Sequence, residues 1–74
     1  MIPLEQFLNK IKFSGEFKLE EITLYYKDRF KPKLMPLKFN ESKKDNGVFI
    51  INNKVVPLHR IKEVRSSGTV IWKR

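Results

Sequence analysis

His59 and Arg60 stand side by side in the run Pro57-Leu58-His59-Arg60-Ile61-Lys62-Glu63-Val64, and of all the residues in this 74-residue chain they are the pair best suited to hold an anion. Arginine presents a planar fork of N–H donors that meets two phosphate oxygens at once. The sole histidine of the chain adds a further N–H donor beside it. Asp28-Arg29 is a second charged pair, and Lys12, Lys73 and Arg74 add positive charge wherever the fold brings them close. Tyr25, Tyr26 and Trp72 are the candidate faces on which a base could stack. Each residue also has a plainer role open to it. His59, lying between apolar neighbours, can pack under a sheet and be satisfied by a backbone carbonyl. Arg60 can form an ion pair with Asp28 or Glu63. Trp72 can close the core against Phe7 or Leu8.

Other chemistry is poorly supported. One histidine cannot supply the paired imidazoles of a cyclic phosphodiesterase or a multi-histidine metal site, and there is no cysteine for a thiolate site. Asp28, Asp45 and Glu63 are scattered, and no glycine-rich phosphate loop or nucleophile elbow occurs. The expectation is a non-enzyme with no metal and no cofactor. Sixteen Lys and Arg against eight Asp and Glu give a net charge of +8 and a pI near 10.0, a field that favours polyanionic partners: nucleic acid, phosphorylated ligands or acidic membrane surface. The start lacks a basic segment followed by a long apolar one, and the longest apolar run, Val48 to Ile51, is far too short to span a bilayer. These features predict a cytoplasmic protein without a membrane partner.

The elements that must position these residues follow from hydrophobic spacing. Leu4, Phe7, Leu8 and Ile11 fall at intervals of three and four, which predicts a helix over about Pro3–Lys12, ended by Ser14-Gly15. Glu20 to Lys27 alternates, with Ile22, Leu24 and Tyr26 on one side and Thr23, Tyr25 and Lys27 on the other, as a strand requires. Only one of the two tyrosines can therefore point inward. Leu34 to Phe39 reads as a strand that Pro36 confines to an edge or a bulge. Asn40 to Gly47 reads as a loop, Val48 to Asn52 as a short buried strand, and Asn53-Lys54 as a tight turn into Val55-Val56. Leu58, Ile61 and Val64 recur every three residues, which suggests a turn over Pro57–Arg60 leading into a strand over Ile61–Arg65. Ser66-Ser67-Gly68 then makes a three-residue hairpin loop into Thr69–Lys73, with Val70 and Trp72 sharing a face. The sum is a single α+β domain over residues 1–74. Its N-terminal helix packs on a small, strongly curved antiparallel sheet or barrel of four to five strands.

Read together, these blocks resemble the RNA cyclic-group-end recognition domain, a small family seen chiefly as stand-alone archaeal proteins. The resemblance runs through Ile2-Pro3-Leu4, Leu8-Asn9-Lys10-Ile11-Lys12, Tyr26-Lys27-Asp28-Arg29 and Pro36-Leu37 with Phe39. It is strongest at Pro57 to Val64 and continues at Gly68, Ile71-Trp72 and Arg74. Phe13 stands where the family often has tryptophan, and the stretch from Lys43 to Gly47 is short and idiosyncratic. The resemblance implies an RNA-binding module for 3′ ends of single-stranded RNA bearing a 2′,3′-cyclic phosphate, serving RNA repair or processing. An RNA-ligase-like phosphoesterase or a nucleotidyltransferase would be its enzyme partner. Such an end is a monoanion with two non-bridging oxygens. Arg60 would take both, His59 and Arg29 would add contacts, and Asp28 would orient an arginine. The rival expectation is a general single-strand RNA-binding or protein-interaction adaptor without end specificity.

Overall fold

The computed structural model describes residues 2–45, 47–51 and 53–74, and the side chain of Ile51 is outside that description. The helix, α1, spans Leu4–Ser14. It starts one residue later than the spacing suggests because Pro3 sits before it in extended conformation, its carbonyl accepting the Phe7 N–H at 3.0 Å. It runs two residues further, to Ser14, where Gly15 turns left-handed at φ 73° and stops it. Leu4, Leu8 and Ile11 are buried along one stripe, while Phe7 is only partly covered.

Among the described residues seven strands follow: β1 Ile22–Lys27, β2 Leu34–Lys38, β3 Lys43–Asp45, β4 Val48–Ile51, β5 Lys54–Pro57, β6 Ile61–Ser66 and β7 Thr69–Lys73. They form two antiparallel sheets, ordered β2-β1-β6-β7 and β3-β4-β5. The α+β class with its N-terminal helix holds, but two sheets replace the expected small, strongly curved sheet or barrel of four to five strands. Two features explain the miss. Strand β3 is Lys43-Lys44-Asp45, exposed at every position, so it has no apolar alternation to reveal it and reads as loop. A 3₁₀ turn at Leu58–Arg60 separates β5 from β6 and ends one ladder before the next begins.

Other local expectations resolve in the same way. Ile22, Leu24 and Tyr26 all point into the core, at 0, 0 and 6% exposure. Residues Leu19–Glu21 form a 3₁₀ turn, so β1 begins later than Glu20. Pro36 does lie on an edge strand, β2, where its missing N–H leaves no gap in a central ladder. Phe39 leaves that strand and opens a further 3₁₀ turn, Phe39–Glu41. Residue 52 of the expected Val48–Asn52 strand, and residue 46 of the expected Asn46-Gly47 turn, lie outside the described residues. Lys54 belongs to β5 and pairs with Ile51, so it follows the turn and is not part of it, and Asn53 has φ 64°.

The last hairpin departs most. Ser66 pairs with Thr69, so its loop is the two residues Ser67-Gly68, not three. Both have positive φ, 50° and 86°, the backbone of a type I′ turn. The irregularity lies further along, where Val64 pairs with Trp72 but Arg65 with Val70. That bulge at Ile71 shifts the alternation by one, so Trp72 is buried while Val70 is 45% exposed. The two do not share a face as simple period-two reading suggests.

The helix and both sheets feed one core. Leu4, Leu8 and Ile11 meet Ile22, Leu24, Leu37, Ile61, Val64 and Trp72 from the larger sheet, and Phe49 and Val56 from the smaller. Phe39 stands edge-on to Phe49, ring centroids 6.2 Å apart. Among the described residues, no helix is long and apolar enough to cross a membrane.

Candidate functional site

The 3₁₀ turn Leu58–Arg60 determines where His59 and Arg60 go. Leu58 packs against the core and Ile61 is fully buried. Three residues per turn puts these two on the inner side and sends the intervening pair outward. His59 is accordingly exposed, and Arg60 half-buried, rather than sunk beneath the sheet. The turn is tied from both sides. The Leu58 N–H donates to the Gly47 carbonyl at 3.1 Å, and the Ile61 N–H closes the turn on the Leu58 carbonyl.

Arg74 completes the tether. Its Nε donates to the Ile61 carbonyl at 3.0 Å, its Nη2 to the Leu58 carbonyl at 3.3 Å, and its backbone N–H to the Lys62 carbonyl at 2.9 Å. Its guanidinium also lies 5.3 Å from the centre of the Trp72 ring. Arg74 was expected among the anion-binding residues. Its Nε and Nη2 donate to the backbone that carries His59 and Arg60, and it lines neither cavity.

The other half of the site comes from the end of β1. Asp28 Oδ1 accepts the Phe30 N–H at 2.9 Å and the Asp28 carbonyl accepts the Lys31 N–H at 3.2 Å, so Asp28 to Lys31 form a tight turn that projects Arg29. Between β1 and β6 the register slips: Tyr25 faces Glu63 and Tyr26 faces Ile61, leaving Lys62 as the extra residue of a bulge. The same bulge lets Ile61 and Val64, three apart in a strand, both point inward.

The result is an open concavity of about 190 Å³ lined by Lys27, Arg29, His59, Arg60 and Lys62. Among the described residues, neither Arg29 nor Arg60 is in a salt bridge. The carboxylates open to Arg60 in the sequence, Asp28 and Glu63, are engaged elsewhere. Glu63 accepts from Arg65, at 3.0 Å, and Asp28 lies 3.7 Å from Lys54 Nζ. Asp28 therefore orients no arginine. The Phe30 N–H, and then Lys54, hold its carboxyl below the usual range. Lys54 is in turn pushed up, chiefly by its 2.6 Å bond to the Tyr26 hydroxyl and further by Asp28.

The remaining candidates are dispersed. Lys12 is in the last turn of α1 and lines neither this concavity nor its neighbour. Tyr26 and Trp72 are core residues, each 6% exposed, so neither offers a free face to a base. Trp72 packs against Phe7 at 6.5 Å and its Nε1 donates to the Ile2 carbonyl at 3.1 Å, which is the lid role open to it in the sequence. Tyr25 does reach the outer face of the sheet, but the Arg65 guanidinium lies 4.5 Å from its ring centre. Lys27 and Lys62 were missed as site residues. Both sit within the two short motifs already singled out, one residue before Asp28 and two after Arg60. What the sequence lacked was the pairing of β1 with β6 that brings Lys27 and Lys62 to one hollow.

Comparison with known proteins now bears on this geometry. The model of the MJ1316 RNA cyclic group end recognition domain matches residues 1–74. The chain belongs to that family. A protein of Metallosphaera sedula, described as a UPF0248 protein, is 32% identical over 68 residues, covering 90% of this chain and 86% of the relative. No solved structure gives a significant match. The family's description concerns recognition of RNA ends and names RNA as the ligand.

Proposed function

We propose that this family member binds the 3′ end of single-stranded RNA carrying a 2′,3′-cyclic phosphate, and that the concavity lined by Lys27, Arg29, His59, Arg60 and Lys62 is where the phosphate sits. The observation that carries this reading is the convergence of two unpaired arginine forks and an exposed imidazole around one small hollow. A guanidinium without a carboxylate partner keeps its bidentate donor set for an incoming anion. Arg60, on the tethered 3₁₀ turn, takes both non-bridging oxygens. Arg29 approaches from the β1 turn, and the His59 ring N–H contributes a third direction. Lys27 and Lys62 neutralise the flanking phosphates of the strand, which gives affinity that weakens as salt rises.

The role is recognition without turnover, in keeping with the description of the family. The hollow brings a single imidazole to the phosphate, whereas opening the ring by acid–base chemistry calls for a second group to protonate the leaving oxygen. A separate enzyme of RNA repair or processing would act on the end once it is held.

The test is a titration with short RNAs identical but for a cyclic phosphate, a linear phosphate or a hydroxyl at the 3′ end. The cyclic end should bind at least about tenfold tighter than the hydroxyl, since a single hydrogen bond to a charged group is already worth ~1.5 kcal/mol or more. Arg60→Ala should remove that preference while leaving the fold intact, since its side chain anchors nothing in the core. Equal affinities for the three ends would leave only a general single-strand binder.

A further inference from the structure

Beside the small hollow lies a larger open cleft of about 400 Å³, and Arg29 and Arg60 line both. Its volume falls in the range of small-molecule sites. Its composition differs sharply from that of its neighbour. Phe30 is 84% exposed and Val55 58% exposed, and both line it. Scattered exposed apolar side chains are ordinary on a protein surface. Here two converge on one concavity, next to a polar group held in fixed geometry.

That polar group is Asp28 with Lys54. One carboxylate oxygen is committed to the Phe30 N–H at 2.9 Å, and the other lies 3.7 Å from the ammonium. The ammonium is itself placed by the Tyr26 hydroxyl at 2.6 Å. The cleft thus presents an acceptor beside a donor, both braced, together with an exposed aromatic ring. A carboxylate is out of place in a pocket built for phosphate, because it repels the ligand. It suits the edge of a nucleobase, where an N–H donor stands next to an acceptor. RNA-binding proteins take unpaired bases in this way, stacking the ring on an aromatic and reading its edge with polar groups.

The connection to the neighbouring hollow is short. The Arg29 guanidinium lies 6.0 Å from the centre of the Phe30 ring, so the aromatic face and the cationic hollow adjoin. The phosphate and the base of one nucleotide are joined through one ribose, and the two cavities are joined through two arginines.

We infer that the cleft receives the base of the 3′-terminal nucleotide, stacked on Phe30 beside Val55, with its edge read by Asp28 and Lys54. This rests on the proposed binding of the cyclic phosphate in the adjoining hollow and adds to it a reader of the terminal base. Phe30 takes the stacking role for which Tyr26 and Trp72 are too deeply buried.

The experiment compares RNAs ending in a cyclic phosphate with either a base or an abasic site at the terminal position. A matched pair ending in cyclic phosphate or hydroxyl is measured alongside on the unaltered protein. Removing the terminal base should cost the unaltered protein about tenfold in affinity, within the range of a single base–aromatic stack. Phe30→Ala should lower affinity for the base-bearing RNA to the abasic level and leave the abasic RNA no worse. With 2-aminopurine as the terminal base, its fluorescence should be quenched on binding to the unaltered protein and unquenched on Phe30→Ala. Retained cyclic-end preference with equal affinity for base-bearing and abasic RNA overturns the base subsite alone. Equal affinity for cyclic and hydroxyl ends overturns the phosphate site and the base subsite with it. Full base dependence in Phe30→Ala also overturns the inference. Because Phe30 is exposed and outside the core, the variant tests binding and not folding.

Discussion

Replacing Arg74 with alanine should loosen the very turn that presents His59 and Arg60, although Arg74 lines neither cavity. The side chain makes two bonds to carbonyls of that turn and lies over the Trp72 ring. The bond to the Ile61 carbonyl involves a charged donor and a buried residue, and is worth about 1 kcal/mol net. The longer bond to Leu58 is solvent-exposed and adds about 0.5 kcal/mol. The cation–ring contact contributes about 0.5 kcal/mol at an exposed site. Arg74→Ala should therefore cost about 2 kcal/mol, a fall in Tm of about 8–16 °C for a domain of this size. Arg74→Lys separates geometry from charge. It keeps the positive charge and some contact with Trp72, but has no planar fork to bridge two carbonyls. It should recover less than half of the loss. Equilibrium urea unfolding reads both variants, and the affinity for cyclic-ended RNA should fall in Arg74→Ala by less than in Arg60→Ala. A lysine variant as stable as the unaltered protein, or an alanine variant within about 0.5 kcal/mol of it, the scatter of ordinary surface changes, would refute the tether.

Two further predictions concern the core and the cleft. Phe49→Ala, at a fully buried ring, should cost about 3–5 kcal/mol, and Phe7→Ala, at a partly covered one, should cost less; chemical denaturation of the pair gives the order. Asp28 should titrate below its ordinary 3.8 by carbon-detected NMR. A carboxyl lowered in the folded state contributes stability above the unfolded value, and loses it as pH falls through the folded one. Asp28→Asn should flatten that part of the acid limb while keeping the turn, because the amide oxygen can still accept the Phe30 N–H. A midpoint at or above 3.8 would contradict the braced carboxylate.

How much was legible in the residues varies with the range of the interaction. Helix α1 and the inward set Ile22, Leu24 and Tyr26 could be read directly, because a stripe of apolar residues at helical or strand period must be buried for so small a chain to fold. Pro36 told its own position, since it lacks the N–H a central ladder needs. His59-Arg60 and Asp28-Arg29 stood out as charged pairs near the ends of predicted elements, and their family likeness was visible in the same blocks.

Tertiary structure decided the rest. Strand β3 carries three exposed polar residues, so only its pairing with Val48, Phe49 and Ile50 makes it a strand. Two bulges, at Lys62 and at Ile71, each shifted a strand's alternation by one residue. They let Ile61 and Val64 both point inward, buried Trp72 and left Val70 exposed, and no local pattern announces an extra residue in a ladder. Arg60 and Arg74 look alike as isolated cations. One lines an open hollow and the other is bonded to backbone carbonyls, because a charge's role depends on which partners lie within a few ångströms. The chain's own letters thus determined its helix, its apolar faces and its cationic character, which are properties of neighbouring residues. Which arginines stay unpaired, and that they meet between residues 27–29 and 59–62, was decided only when long-range pairing of β1 with β6 closed the distance.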